Sequence, residues 1–372
     1  MNIADQKLKR LRDAVSHKQP DRIPAGDAFW TGFVKKCKVL FGSDFDAVRH
    51  FDLDWAQVIP NMDPKIKEFE IVRQDGEDIT VRTGFGATIR RSGDIPMPSF
   101  ESFSVNQPEE MADFEFDDPA DQRRFFQGGD DQINCVGDAL SRGIPAWRDR
   151  MQPYIGEFPI FGAVCEPYEY VWRIIGTENA LYWMLTDADL FEDFIVRIGD
   201  FMVGFLDAQI KAANGALCGM FIYGDVAYRN GMLFSPEIWR RVFKPQVKRL
   251  VDVCRDNSLI AIYHGCGDSR VIFDDFVELG ISAYNPLEAK AGLDVVELKK
   301  QYAGRLAFCG NIDVRVLESG DPQLIEKEIR YKTQAGRGGG FIFHSDHSIS
   351  SNVAPESYQL AMKLLREIKF SD

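Results

Sequence analysis

Leu259-Ile260-Ala261-Ile262-Tyr263-His264-Gly265-Cys266-Gly267-Asp268 decides how the rest of the sequence is read. Apolar and β-branched residues run into a His-x-Cys pair and then glycine. That is the pattern of a buried parallel strand delivering two metal-capable side chains at its carboxyl end. Side chains two apart on a strand share a face, so His264 and Cys266 can point at the same spot. A lone cysteine is more often a small buried hydrophobe and a lone histidine a structural group. The pairing of the two at a strand end, in a chain with five histidines, points to a site.

Outward from this stretch the same rhythm recurs. Pro159-Ile160-Phe161-Gly162-Ala163, Gly219-Met220-Phe221-Ile222-Tyr223-Gly224-Asp225, residues 281–285, Leu306-Ala307-Phe308-Cys309-Gly310-Asn311 and Gly340-Phe341-Ile342-Phe343-His344 read as short apolar strands. Helical stretches separate them, for example residues 236–257 and 322–335. Such alternation means parallel βαβ units, in a closed (β/α)8 barrel or an open doubly wound sheet. Polar residues decide between these. Asp225, His264 with Cys266, Asn285, Asn311 with Asp313, and Asp346 with His347 fall at the carboxyl ends of successive strands. In a closed barrel those ends converge on one mouth. The expectation is an α/β protein, a single (β/α)8 TIM barrel over residues 1–372, opened by a helix within residues 1–20. Further strands are expected near residues 23–30 and 55–60, with Asp54 at the entrance of the second. From residue 61 to 150 the period breaks down: Ile79-Thr80-Val81-Arg82-Thr83, Gly84-Phe85-Gly86, Pro96, Pro98 and an acidic stretch over 109–118 suggest an inserted β-hairpin and cap. Arg337-Gly338-Gly339-Gly340 enters a strand instead of opening a helix, so it reads as a turn and not a phosphate cradle.

Composition bounds the function. With 372 residues, 45% hydrophobic and 27% charged, the chain can bury a large core and has the make-up of a soluble globular protein. No apolar run reaches the roughly 18 residues of a membrane span. The polar start, residues 1–20, lacks the apolar segment of a secretory signal, so a cytoplasmic protein is expected. The cysteines (Cys37, Cys135, Cys165, Cys218, Cys254, Cys266, Cys309) are scattered and form no CxxC, which suggests reduced thiols. A formal net charge of −13 argues against nucleic acid or an anionic membrane as partner. A polyanionic substrate would need strong local clustering of arginine.

Taken together, Phe221-Ile222-Tyr223-Gly224-Asp225, Phe234-Ser235-Pro236-Glu237, Tyr263-His264-Gly265-Cys266-Gly267, Cys309-Gly310-Asn311-Ile312-Asp313, Gly339-Gly340-Phe341-Ile342 and Ser345-Asp346-His347-Ser348-Ile349 make a chain that resembles the uroporphyrinogen decarboxylase superfamily. The likeness runs from about residue 156 to 368, loosely over 22–60, and poorly through the insertion. It implies a (β/α)8 barrel of that type with one of two chemistries, porphyrinogen decarboxylation or corrinoid-dependent methyl transfer to a zinc-bound thiol. Decarboxylases of the family open with an arginine-rich signature that grips substrate carboxylates. The matching stretch here, Arg22-Ile23-Pro24-Ala25-Gly26-Asp27-Ala28-Phe29-Trp30, holds one arginine and one aspartate. By the same resemblance Asp54 corresponds to the pyrrole-binding aspartate, Tyr170 to the active-site tyrosine and His347 to the late histidine.

The methyltransferase branch holds zinc with a His-x-Cys pair and a distant third thiolate. His264 and Cys266 match the pair, and the third position falls on His347, with Cys309 as an alternative. Zinc accepts imidazole nitrogen as readily as thiolate, and three protein ligands leave a fourth position for water or substrate. Asp225 and Glu166 are then expected as orienting carboxylates, and Asn285, Asn311 and Asp346 as groups that bind substrate at the mouth. His344 is expected to be structural or to support the site, and His17 and His50 to lie at the surface. The favoured expectation is a zinc-dependent methyltransferase moving a methyl group between a corrinoid such as methylcobalamin and a thiol or similar acceptor. Its candidate partners are a small-molecule substrate, a corrinoid protein and a second copy of the chain. The alternatives are decarboxylation of a porphyrinogen or another carboxylated small molecule, and a barrel that binds a ligand without catalysis.

Overall fold

The strand carrying the His-x-Cys pair is the middle one of a seven-stranded parallel sheet. The computed structural model describes residues 2–76, 78–91, 98–128, 132–133, 140–141 and 143–370; Pro96 and Cys135 lie outside them. Across the sheet the order is β1 (Ala56–Gln57), β2 (Ile160–Cys165), β3 (Leu217–Tyr223), β4 (Ile260–His264), β5 (Ala283–Asn285), β6 (Ala307–Cys309) and β7 (Phe341–Ile342). Sequence order and spatial order coincide, the singly wound arrangement that lets a parallel sheet close into a barrel.

The two edges of this sheet are joined by the segment around Ala25. Phe343, just after β7, donates to the Pro24 carbonyl at 2.9 Å and accepts from the Gly26 amide at 3.0 Å, and the Asp54 amide, just before β1, donates to the Ala25 carbonyl at 2.6 Å. The ring of backbone hydrogen bonds is therefore closed. The chain has the expected fold, a (β/α)8 barrel with an inserted β-rich cap. The strand expected over residues 23–30 is reduced to isolated bridges at Ala25 and Phe29, because Pro24 has no N–H to give a ladder.

Inside, the barrel is filled by aromatic side chains that glycines make room for. A Cβ on Gly219 would stand 2.1 Å from the Phe161 ring. Outside, the 26-residue helix Ala188–Ala213 is tied to β2 by Gln209, whose amide donates to the Ala163 carbonyl at 2.9 Å and accepts from its N–H at 3.2 Å. The helix expected over residues 236–257 is present but interrupted: Pro236–Ile238 passes through a π-type stretch, Trp239–Phe243, before Lys244–Asp256. Pro245 cannot donate to the preceding turn, which loosens the ladder there.

The insertion builds more than a hairpin. Glu70–Asp75, Asp78–Arg82, Thr88–Arg91 and Ser99–Ser102 form a four-stranded antiparallel sheet around its own small core of Ile79, Val81, Ala87 and Ile89. At the other end of the chain, Gly338, Gly339 and Gly340 take φ of +76°, +76° and +74°. Three left-handed residues in a row suit glycine alone, and they turn the chain into β7 around the Lys299 ammonium, which donates to the Gly339 carbonyl. No helix begins there, so the reading as a turn holds. No helix among the described residues is long and apolar enough to cross a membrane.

Candidate active site

Sheet register builds the centre of the site. His264, the last residue of β4, pairs with Tyr223 at the end of β3 and with Asn285 at the end of β5. The three side chains line one cavity at the carboxyl-end mouth, together with Asp27, Trp55, Gln57, Phe221 and His344. Two residues beyond β3, Asp225 comes alongside Cys266, and its Oδ1 accepts from the Cys266 amide at 2.8 Å. One ligand atom each from Asp225, His264 and Cys266 lies within 4.8 Å of the others, and His264 Nε2 is 3.8 Å from Cys266 Sγ. Asp225 caps no helix, since a short hairpin, Ala227–Tyr228 with Gly231–Met232, follows it.

The imidazole is held in one useful orientation. Asn285 Nδ2 donates to the Cys309 carbonyl at 2.9 Å, which leaves Asn285 Oδ1 to face His264 Nδ1 at 2.6 Å. An amide oxygen only accepts, so the proton sits on Nδ1 and the Nε2 lone pair is turned toward Cys266. Burial lowers the His264 pKa, against the pull of Asp225 and Asn285. The same burial, with the charges of Asp225 and Glu288, pushes the Cys266 thiol well above its usual range. Glu288 accepts from the Gly267 amide at 3.2 Å and pairs with Lys290 at 3.1 Å, which fixes the loop after the cysteine.

The donor set fits zinc. One imidazole nitrogen, one sulfur and one carboxylate oxygen are all zinc ligands, and ligand atoms at zinc distances stand roughly 3.5 Å apart. Three protein donors, of which His264 lines the cavity, leave a fourth coordination position for another ligand.

Other residues expected at the site lie elsewhere. His347 is outside the ligand group: its ring stands edge-on to Trp30 at 5.5 Å, with Nδ1 3.3 Å from the Ser348 carbonyl. Cys309 is buried behind Asn285, whose Nδ2 lies 3.5 Å from its sulfur. Asp54, expected to bind substrate, is completely buried at the entrance of β1 and takes Arg10 at 2.5 Å, Arg22 at 3.0 Å and the Ala25 amide at 2.7 Å. With every lone pair engaged it clamps the barrel floor. Asn311 is likewise spent, accepting from Val295 N–H and Lys332 and donating to the Leu287 and Leu293 carbonyls at 2.7 and 2.8 Å. Asp346 accepts from the Ala289 and Val314 amides, both at 2.9 Å, and so ties two neighbouring loops together. Tyr170 is buried against Phe85 and donates to the Met62 carbonyl, away from the cavity. Glu166 is buried with both oxygens lacking a hydrogen-bond partner, packed where a Cβ on Gly224 would meet it. Burial, then the charge of Glu169, holds its pKa well above the usual range.

Asp27, which sequence reasoning passed over, and His344, expected to be structural or to support the site, also line the cavity. Asp27 accepts from Tyr358 Oη at 2.9 Å and from the Ser345 hydroxyl, with His344 Nδ1 at 3.5 Å. His344 Nδ1 donates to the Ser345 carbonyl at 2.7 Å, which leaves Nε2 as an acceptor. Asp27 stands in the quoted stretch from Arg22 to Trp30, and the signal available was a lone acid next to Gly26 at a strand end.

Strand ends converging on one polar mouth define the class: a (β/α)8 barrel of the enzyme type, its site built on the loops after the strands. The chain belongs to the uroporphyrinogen decarboxylase family, whose sequence profile, Uroporphyrinogen decarboxylase (URO-D), matches residues 83–368. It is 24% identical to the uroporphyrinogen decarboxylase of Mannheimia succiniciproducens over 214 residues, covering 54% of this chain and 57% of that one. It is also 24% identical to the methylcobamide:CoM methyltransferase MtbA of Methanosarcina mazei, over 337 residues and 89% of each chain. The fold superposes on a methyltransferase from Methanosarcina mazei with a TM-score of 0.70, covering 97% of this chain and 98% of that one at 16% identity.

Proposed function

We propose that this chain is a zinc-dependent methyltransferase that moves a methyl group between a corrinoid and a thiol or similar acceptor. The observation that carries the reading is the grouping of Asp225, His264 and Cys266 within 4.8 Å beside an imidazole whose free lone pair is set by Asn285. The methyltransferase relative matched over 89% of both chains supports the same branch. Zinc held by these three residues would let a thiol in the fourth position lose its proton at neutral pH. Asn285 keeps His264 in the ligating tautomer. Asp225 positions the Cys266 amide as well as offering an oxygen, and the rings of Trp55, Phe221 and Tyr223 keep water from one wall of the cavity. A corrinoid protein in the cytoplasm is the partner this reading asks for.

The decarboxylase alternative is electrostatically poor. Among the described residues lining the cavity there is no arginine or lysine, so a polycarboxylate would find no bidentate clamps there.

The test is metal analysis of protein purified without chelator or affinity-tag nickel. The expected content is about one zinc per chain, lost in His264→Ala, Cys266→Ala and Asp225→Ala and kept in His347→Ala and Cys309→Ser. Folded protein without metal, or zinc kept when Cys266 is removed, sinks the reading. Loss of zinc in His347→Ala would return that residue to the ligand set. Demethylation of methylcobalamin by added thiols then reads the chemistry.

A further inference from the structure

Five rings follow one another around the cavity. His344 stacks on Trp55 with centroids 6.5 Å and planes 14° apart. Trp55 meets Phe221 at 6.1 Å, Phe221 meets Tyr223 at 5.9 Å, and Tyr223 meets His264 at 4.9 Å. The Trp55 ring is seated on the backbone of Gly26, where a Cβ would come within 2.0 Å of it. At the His344 end of this arc stands Asp27, oriented by Tyr358 and Ser345.

The electrostatics of this wall have one sign. Aromatic faces carry the negative side of a quadrupole, and among the described residues neither lysine nor arginine lines the space. Zinc held by the Asp225 carboxylate and the Cys266 thiolate would have both its charges balanced, so the metal would not reverse that sign. Rings around a space free of lysine and arginine among the described residues are what a quaternary or methylated ammonium group selects. Gln57 adds a second requirement. Its Oε1 accepts from Tyr223 Oη at 3.0 Å, while its buried Nε2 has no hydrogen-bond partner, so it can donate to an oxygen on the ligand.

We propose that this cavity binds a small organic ammonium ion, its cationic head against Trp55, Phe221 and Tyr223, with an oxygen substituent within reach of Gln57. The inference deepens the methyltransferase reading by naming the class of its substrate, and it rests on that reading only for the metal's place at one end of the arc. It sets the chain apart from barrels that take anionic substrates, whose carboxylates or sulfonates would meet no lysine or arginine among the described residues lining this space.

Isothermal titration with choline as probe, on full-length zinc-loaded and metal-stripped protein, tests it. The comparison ligand is 3,3-dimethylbutan-1-ol, which has the same shape and no charge. Choline is expected to bind about 10-fold or more tightly than the alcohol. Tyr223→Leu and Trp55→Phe should each narrow that preference several-fold, while Tyr223→Phe, which keeps the ring, preserves it. Thermal melts that match the native chain show that the variants are folded. Equal affinity for the two ligands, or a preference unchanged in folded Tyr223→Leu, overturns the inference. Zinc binding without choline preference removes this inference and leaves the methyltransferase reading intact. Choline preference in a chain that takes up no zinc does the reverse.

Discussion

Asn285 makes two hydrogen bonds that give His264 its chemistry, one to the Cys309 carbonyl and one to His264 Nδ1. Removing the amide in Asn285→Ala frees the ring to rotate and to carry its proton on either nitrogen. Zinc affinity, measured by competition with a chromophoric chelator, should fall by about 10- to 100-fold, the usual effect of losing a partner behind a metal-binding histidine. Affinity unchanged in a folded variant would mean that packing alone orients the ring. At this scale the nearness of His264 and Cys266 was legible from their two-residue spacing, although the strand stops at His264 and Cys266 follows it. Asp225 was recognised at a strand end, but as a supporting carboxylate, since its approach to Cys266 depends on how β3 and β4 are aligned. Asp54, Asn311 and Asp346 were misplaced for a related reason. Each has the right residue type near a strand end, and each is consumed by partners such as Arg10, Lys332 and Val314 that lie tens of residues away in the sequence.

Whole strands and helices were more legible than side-chain roles, because period and apolar runs are local. The helix Ile3–Val15 begins at an Asn2 and Asp5 capping box that fixes its start, whereas the π-type stretch at Trp239–Phe243 depends on where one proline falls in a continuous helical pattern. The paired packing of β2 and β3 was not legible at all. Phe161 lies over Gly219, and a Cβ there would be 2.1 Å from the ring, so Gly219→Ala overfills the barrel. A loss of about 1–3 kcal/mol is expected from urea denaturation. Phe161→Ala alone leaves a void and should cost about 3–5 kcal/mol. Because one change fills the space the other empties, the double variant should be more stable than the sum of the single losses allows. Strict additivity would show that the two residues do not share that space.

The barrel as a whole is held at its rim by polar groups that tie loop to loop. Closure itself could be argued from the polar strand ends, but not the means, since sequence does not say that Asp346 accepts from Ala289 and Val314 after β5 and β6. That role has a consequence for pH. Burial, with the neighbouring charges of Asp313 and Glu288, raises the Asp346 pKa to about 6 despite those two amides. Its value in the unfolded chain is near 4, so between these limits the folded protein holds the proton more tightly. The group's contribution to stability is therefore greatest below about pH 4 and declines as pH rises to about 6, by about 3 kcal/mol. Asp346→Asn keeps the shape of the side chain and cannot titrate. Urea denaturation of both proteins at pH 4.5, 5.5 and 7 should show the stability difference moving in favour of the variant as pH rises. A difference that does not change with pH, or that moves the other way, would mean that the two amide donors outweigh burial and that the rim is stabilised by a carboxylate ionised throughout.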